Sequence, residues 1–281
     1  MPSEINPISF ASHLLKLYMT NKVDLKNSIH LGNATGFIYK KNQKQYLVTN
    51  LHVLSGRNIN TEKIESTSGA IPEYIEMSFS TFYDTSKIAK EQGSFLRIQL
   101  YNQEHQPIWL IHPIYKRKVD IAVIYLDLDA SINLFAINDI QETQTHISIA
   151  DDIFVIGYPL SLGTNENKAF PIWKNATIAS EPSINYFTDG RKTFVIDGTT
   201  RAGMSGSPVI RYSHFIYNKD KDGINFGMCP QCTFSFLGVY SGRLHGKTDN
   251  SNVESFLGLV WKKELIDEII DANVLDKQYE N

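Results

Sequence analysis

The most constraining stretch of the chain spans residues 197–210 and reads D-G-T-T-R-A-G-M-S-G-S-P-V-I. Gly203 and Gly206 bracket Ser205, and Pro208 ends the turn before the apolar pair Val209-Ile210, which reads as the start of a strand. A serine hydroxyl is a weak nucleophile at neutral pH and needs a base beside it. It also needs backbone N–H donors aimed at the oxygen that becomes negative. A G-x-S-G turn can meet the second need. Gly203 permits backbone angles that a side chain forbids, so the N–H groups of Gly203 and Ser205 can converge on one pocket, an oxyanion hole. Gly206 is expected to leave room for an approaching substrate. Taken alone, the stretch also fits a Gly/Ser-rich hairpin turn.

A serine nucleophile needs a histidine base, and that base needs a carboxylate to fix its tautomer. Y-L-V-T-N-L-H-V-L-S at 46–55 places His52 at the end of an apolar strand. V-D-I-A-V-I-Y-L at 119–126 places Asp120 at the start of another. The chain order His52, Asp120, Ser205 is that of chymotrypsin-type proteases, not of subtilisins or α/β-hydrolases.

On these motifs the sequence resembles a trypsin-like (chymotrypsin-fold) serine protease of the bacterial type. T-G-F-I-Y, T-N-L-H-V, H-P-I-Y and D-I-A-V-I all fit that family. T-T-R-A-G-M-S-G-S-P-V, I-G-Y-P-L and L-G-V-Y-S-G are most similar to its glutamyl-endopeptidase branch, with the high-temperature-requirement protease branch close behind. The resemblance covers roughly residues 28–262. It implies a mostly β fold of two six-stranded antiparallel barrels. His52 would be general base, Asp120 its orienting acid and Ser205 the nucleophile. Gly203 and Ser205 would supply the oxyanion donors. The segment Tyr240-Ser241-Gly242 would pair with an extended substrate backbone.

Length and composition agree. At 281 residues the chain has room for one two-barrel unit of about 200–250 residues plus terminal helices. Apolar content of 42% with 20% charged residues describes a soluble globular protein with a full core. A net charge of −3 gives no reason to expect nucleic acid or an anionic membrane as partner. The run Lys116-Arg117-Lys118 reads as a solvated loop. No basic-then-apolar leader and no stretch of about 18 apolar residues is visible, and only two cysteines occur. The expectation is a bacterial, cytoplasmic protein held together by its core rather than by disulfides.

Along the chain, apolar residues at 8, 11, 14, 15 and 18 have the spacing of one helix face. Residues 1–27 are therefore expected to form an N-terminal helix and linker. Residues 28–135 would form the first barrel, carrying His52 and Asp120. Residues 136–281 would form the second, carrying Ser205. Strands are expected at 35–39, 46–49, 76–82, 95–101, 108–112, 152–158, 173–180, 192–196, 209–212, 233–240 and 257–260, with a polar insertion at 213–231 and a charged connection at 84–93. Apolar residues at 261, 265, 266, 269, 270 and 274 define a C-terminal helix.

Two features bear on activation and specificity. Animal trypsins carry an aspartate before the nucleophile, to pair with a freshly cut N-terminus; here that residue is Met204, so N-terminal cleavage is not the expected trigger. The resemblance builds the substrate pocket from Thr199 and Thr200 and from residues 239–243, including Tyr240, Ser241, Gly242 and Arg243. Thr199 stands near the position of the acidic base of a trypsin pocket, and Tyr240 stands where glutamyl endopeptidases have histidine. Neither Lys/Arg nor Glu preference follows, although Arg243 either attracts an acidic residue or faces water. Cys229-Pro230-Gln231-Cys232 has zinc-knuckle spacing, with His214 and His245 available to complete four ligands; it also fits two free thiols or a redox pair at a hairpin tip.

The expected function is a serine endopeptidase acting on a protein or peptide substrate with no organic cofactor. Its regulated form would be a processing protease in stress or defence, gated by an activating partner protein. The alternative is a protease-fold module, silent or latent, that binds an extended peptide of a partner.

Overall fold

The computed structural model describes residues 5–20, 28–66, 68–79, 94–129, 132, 134–143, 145–162, 164–165, 168–220, 223–248 and 251–277; side chains at 94, 164–165, 168–169, 214–220, 223–232, 245–248 and 251–255 lie outside the description. The charged connection at 84–93 also lies outside the described residues.

Fourteen strands and two α-helices are described. The first sheet comprises β1 (Ser12–Thr20), β2 (Ser28–Lys41), β3 (Lys44–Thr49), β4 (Tyr74–Phe79), β5 (Ser94–Gln99) and β6 (Ala122–Leu126), with α1 (Leu51–Ser55) between β3 and β4. The second half comprises β7 (Asp152–Gly157), a two-residue pair β8 (Thr164–Asn165) and β9 (Lys168–Ala169), then β10 (Ile172–Ile178), β11 (Thr193–Asp197), β12 (Pro208–Asp220), β13 (Gly223–Thr248), β14 (Ser251–Lys262) and α2 (Glu264–Ala272).

The architecture is the expected mostly β one, two antiparallel six-stranded units. The second is a closed barrel in the order β10-β11-β14-β13-β12-β7. The first is a half-barrel in the order β5-β4-β1-β2-β3-β6. Its open side is spanned by residues 100–110. The Ile108 N–H donates to the Leu100 carbonyl at 3.1 Å, and Leu110 bridges Val123 of β6. The strand expected at 108–112 is thus a set of isolated bridges.

The N-terminus departs from expectation. Residues 12–20 are not a helix but β1, paired with β2 from Ser12↔Phe37 to Thr20↔Ser28 and with β4 from Leu15↔Met77 to Tyr18↔Tyr74. Only a short 3-10 turn precedes it, at Pro7–Phe10. A strand with neighbours on both edges and cover on both faces buries consecutive residues, and Ser12, His13, Leu14 and Leu15 are all buried. That erases the period of two and leaves an apolar spacing that imitates a helix. The described part of residues 1–27 is therefore a short 3-10 turn followed by a strand in the middle of the first sheet, not a helix. The segment read as a polar insertion, 213–231, is likewise the backbone of a hairpin, with Phe215↔Met228 through Asp220↔Gly223 in register.

The C-terminal helix is present. Leu265, Ile266, Ile269 and Ile270 are buried on one face, as read from the sequence. Trp261 belongs instead to β14. Asn273 caps the helix in a left-handed conformation, its N–H donating to the Ile269 carbonyl. This face joins a core that spans both halves, with Phe37, Val48, Ile121, Val123, Phe236 and Trp261. Each half also has its own core, built around Trp109, Leu47 and Ile75 in the first and Phe194, Met204 and Tyr240 in the second. The shared core fixes the two sheets against one another, and the candidate site lies along their seam.

Candidate active site

His52 enters from the first sheet. β3 runs into Asn50, which caps the single-turn helix α1, and Gly56 ends that helix at φ 63°. The Asn50 side chain donates to the Asp120 carbonyl at 2.7 Å and ties α1 to the segment before β6. Asp120 is 1% exposed. One oxygen accepts the His52 backbone N–H at 2.9 Å; the other accepts His52 Nδ1–H at 2.7 Å. A carboxylate can only accept, so this bond puts the proton on Nδ1 and leaves Nε2 with its lone pair. Burial disfavours the charged form of both groups, but their mutual attraction and hydrogen bond outweigh it. His52 is held above its ordinary pKa and Asp120 below its own.

Ser241 is a further partner. Its hydroxyl donates to the same Asp120 oxygen at 2.5 Å, and its carbonyl receives the Ser205 hydroxyl at 3.5 Å. One residue of β13 thus touches both the buried acid and the serine. The sequence reading makes it backbone for pairing a substrate and a pocket residue, not a partner of the acid. Its side-chain role depends on how β13 lies over Asp120, which no local motif encodes.

Ser205 sits on the turn between β11 and β12. Gly203 has φ 94° and Gly206 φ 83°, the left-handed region that glycine adopts without strain. A Cβ on Gly203 would lie 2.3 Å from the Tyr158 carbonyl oxygen. A Cβ on Gly206 would lie 2.1 Å from the Thr35 carbonyl oxygen and 2.3 Å from Thr49 Oγ1. Gly206 therefore makes room for the first sheet rather than for substrate. The Ala202 carbonyl accepts the Leu160 N–H at 2.8 Å, and the Met204 carbonyl accepts the Ser207 N–H at 3.1 Å. In a trans peptide the N–H points opposite to the preceding carbonyl. The N–H groups of Gly203 and Ser205 are thereby turned away from those contacts, and among the described residues neither has an acceptor. Met204 is fully buried in the second barrel's core.

The expected pocket residues divide. Thr199 is exposed. Thr200 and Tyr240 are buried, 1% and 2% exposed, and their hydroxyls are hydrogen-bonded to each other. The Tyr240 ring packs in the barrel core with Val155, Phe194 and Val260. Ser241, Gly242 and Arg243 follow on β13, partly exposed. Cys229 and Cys232, with His214 and His245, lie on β12 and β13, and their side chains are outside the described residues. Among the described residues no cluster of three or more metal-ligating side chains occurs, and no helix is long and apolar enough to cross a membrane.

No curated protein matches the chain in sequence. Among solved structures it is similar to the active form of the Rv3671c protease from M. tuberculosis, at 14% identity and a TM-score of 0.45, over 97% of this chain and 85% of that one. A family model for the trypsin-like peptidase domain matches residues 34–214, a span that takes in His52, Asp120 and Ser205. With well over half of its length matched, and the three residues on the elements the motif order implied, the chain belongs to the trypsin-like peptidase family.

Proposed function

We propose that this protein is a serine endopeptidase that cleaves a protein substrate through an acyl-enzyme on Ser205. The observation that carries the reading is the buried Asp120, which orients His52 through two hydrogen bonds and reaches the serine through Ser241. His52 Nε2 takes the Ser205 proton as the hydroxyl attacks a peptide carbonyl, then gives it to the leaving amine. Asp120 stays ionised and stabilises the imidazolium. The carbonyl oxygen, negative in the tetrahedral intermediate, is received by the N–H groups of Gly203 and Ser205. Water then hydrolyses the acyl-enzyme by the same relay. In the resting geometry the Ser205 hydroxyl leans on the Ser241 carbonyl, and attack requires it to turn to His52.

Specificity follows from the pocket as far as Thr200 and Tyr240 define it. Their hydroxyls satisfy one another, so the pair forms a neutral wall and not a carboxylate or guanidinium receptor. We propose a modest dependence on the residue before the cleaved bond. A peptide panel varied there tests this; a preference of 100-fold or more for Glu, Lys or Arg would overturn it.

The decisive test of the activity is labelling with a fluorophosphonate, read by mass spectrometry on the wild type and Ser205→Ala. Labelling at Ser205, lost in the variant, is the expected result. A folded wild type that stays unlabelled, alone and in lysate of its source, would favour the peptide-binding module instead. Labelling gained only in lysate would point to an activating partner.

A further inference from the structure

The half that carries the serine does not orient it alone. Thr35, on β2 of the first sheet, is fully buried, and it reaches across the seam with its N–H and its hydroxyl. Its N–H donates to the Ser205 carbonyl at 2.9 Å. Its hydroxyl donates to the Gly203 carbonyl at 2.7 Å and accepts the Tyr158 N–H at 3.1 Å. Its own carbonyl accepts the Thr49 hydroxyl at 2.7 Å, three residues before His52. The two backbone carbonyls it holds, those of Gly203 and Ser205, belong to the peptides on either side of the Met204–Ser205 peptide, which carries one N–H of the proposed oxyanion hole; the other N–H enters Gly203 from the Ala202 side.

We propose that Thr35 is a positioning residue that keeps the oxyanion hole formed in the absence of substrate, and this rests on the peptidase reading above. Gly203 sits at φ 94°, where the backbone has little intrinsic preference to hold it. Rotation of the Gly203–Met204 peptide is opposed by the hydroxyl that holds its carbonyl. Release that carbonyl, and Gly203 loses its anchor on the C-terminal side: the peptide carrying its N–H keeps only the Leu160 bond to the Ala202 carbonyl, and Met204, whose carbonyl fixes the Ser205 N–H, is free to shift. The part-buried Gly203 carbonyl and the buried Tyr158 N–H also lose their partner, which gives the turn reason to rearrange. The chain Thr49–Thr35–Ser205 further fixes the serine's backbone to the strand leading into His52, so base and nucleophile share one frame.

The test compares Thr35→Val, which keeps shape and N–H but removes the hydroxyl, with Thr35→Ser, which keeps it. Losing one oxyanion donor costs about 10²–10³-fold in kcat, so a donor misaimed rather than deleted is expected to cost about 10- to 100-fold in Thr35→Val, with KM within about twofold. Thr35→Ser is expected to stay within about threefold of wild type. Amide hydrogen exchange of residues 201–207 should quicken by about tenfold or more in Thr35→Val and return in Thr35→Ser, while core peptides such as 74–79 keep their protection. Should the valine chain fail to fold, Thr35→Ala carries the same comparison. Wild-type kinetics and wild-type exchange in a folded Thr35→Val, or an equal loss in Thr35→Ser, would overturn the proposal. If the wild type itself has no activity, the peptidase reading fails and the exchange comparison alone decides for or against Thr35.

Discussion

The two halves of this molecule hold the groups of the candidate site by different means. The first holds its pair by burial and charge. Asp120 is sealed at the start of β6, accepts from the His52 backbone and ring, and leaves the imidazole one productive tautomer. The second, although the better closed barrel, presents Ser205 on a glycine turn whose carbonyls are held largely from outside it. Thr35 holds Gly203 and Ser205, and Leu160 holds Ala202. A rigid frame fixes strands, but a reactive turn needs contacts aimed at its own peptides.

The sharpest way to break the comparison is at the charged pair. Asp120→Asn should lower kcat by about 10³–10⁴-fold, because the amide no longer enforces the productive tautomer. The base works as neutral imidazole, and His52 is held above its ordinary value of 6.5, so wild-type kcat/KM should rise with pH through a midpoint above 6.5. In Asp120→Asn that midpoint should fall. An unchanged midpoint would show that the carboxylate does not set the titration.

A second histidine of the same half sharpens it by opposition. His13 is buried on β1, its Nδ1 bound to the Ser78 carbonyl at 2.8 Å, and burial lowers its pKa from 6.5 to about 4. Above pH 6.5 it is neutral folded and unfolded, and has no effect on stability. Between 6.5 and 4 only the unfolded chain takes the proton, so stability falls as pH falls, by about 3 kcal/mol in total. His52 runs the other way, its contribution present below 6.5 and lost as pH rises through its raised value. Urea midpoints of wild type and His13→Gln from pH 7 to 4 should converge as the wild type loses its advantage; parallel curves would reject this assignment.

The cores differ as well. The first half's own core and the core shared by both halves each have a fully buried tryptophan, but Trp109 donates its indole N–H to Asp276 at 3.1 Å, whereas Trp261 Nε1 has no partner among the described residues. Trp109→Phe loses a buried hydrogen bond to a charged group and should destabilise by about 1.5–3 kcal/mol more than Trp261→Phe in urea unfolding. The smallest effect is expected on the surface. Lys40 and Asp139 pair at 2.8 Å but are partly exposed, and Lys40→Met should change stability by under about 1 kcal/mol, less still in salt.

Much of the candidate site was legible in the sequence, because its residues are packed into short runs. His52 closes an apolar strand, Asp120 opens one, and Ser205 lies between two glycines. What remained hidden depends on register between distant strands. Ser241 meets Asp120, and Thr35 meets Gly203, only once β13 and β2 are laid against their neighbours. The bond between the hydroxyls of Thr200 and Tyr240, which joins the segment before Ser205 to β13, is likewise written in no local motif. The N-terminal strand failed for a third reason. Its burial on both faces removes the alternation that identifies strands at surfaces, and Leu14, Leu15 and Tyr18 then imitate a helix.

That strand has a consequence for how such a protein can be switched. β1 is the fourth strand in from the β6 edge, hydrogen-bonded to β2 on one side and β4 on the other. Excising it would not unmask a site; it would divide the sheet into a pair, β4–β5, and a trio, β2–β3–β6, and the trio carries the ground under His52. Trimming of residues 12–20 would therefore dismantle the sheet and not mature it.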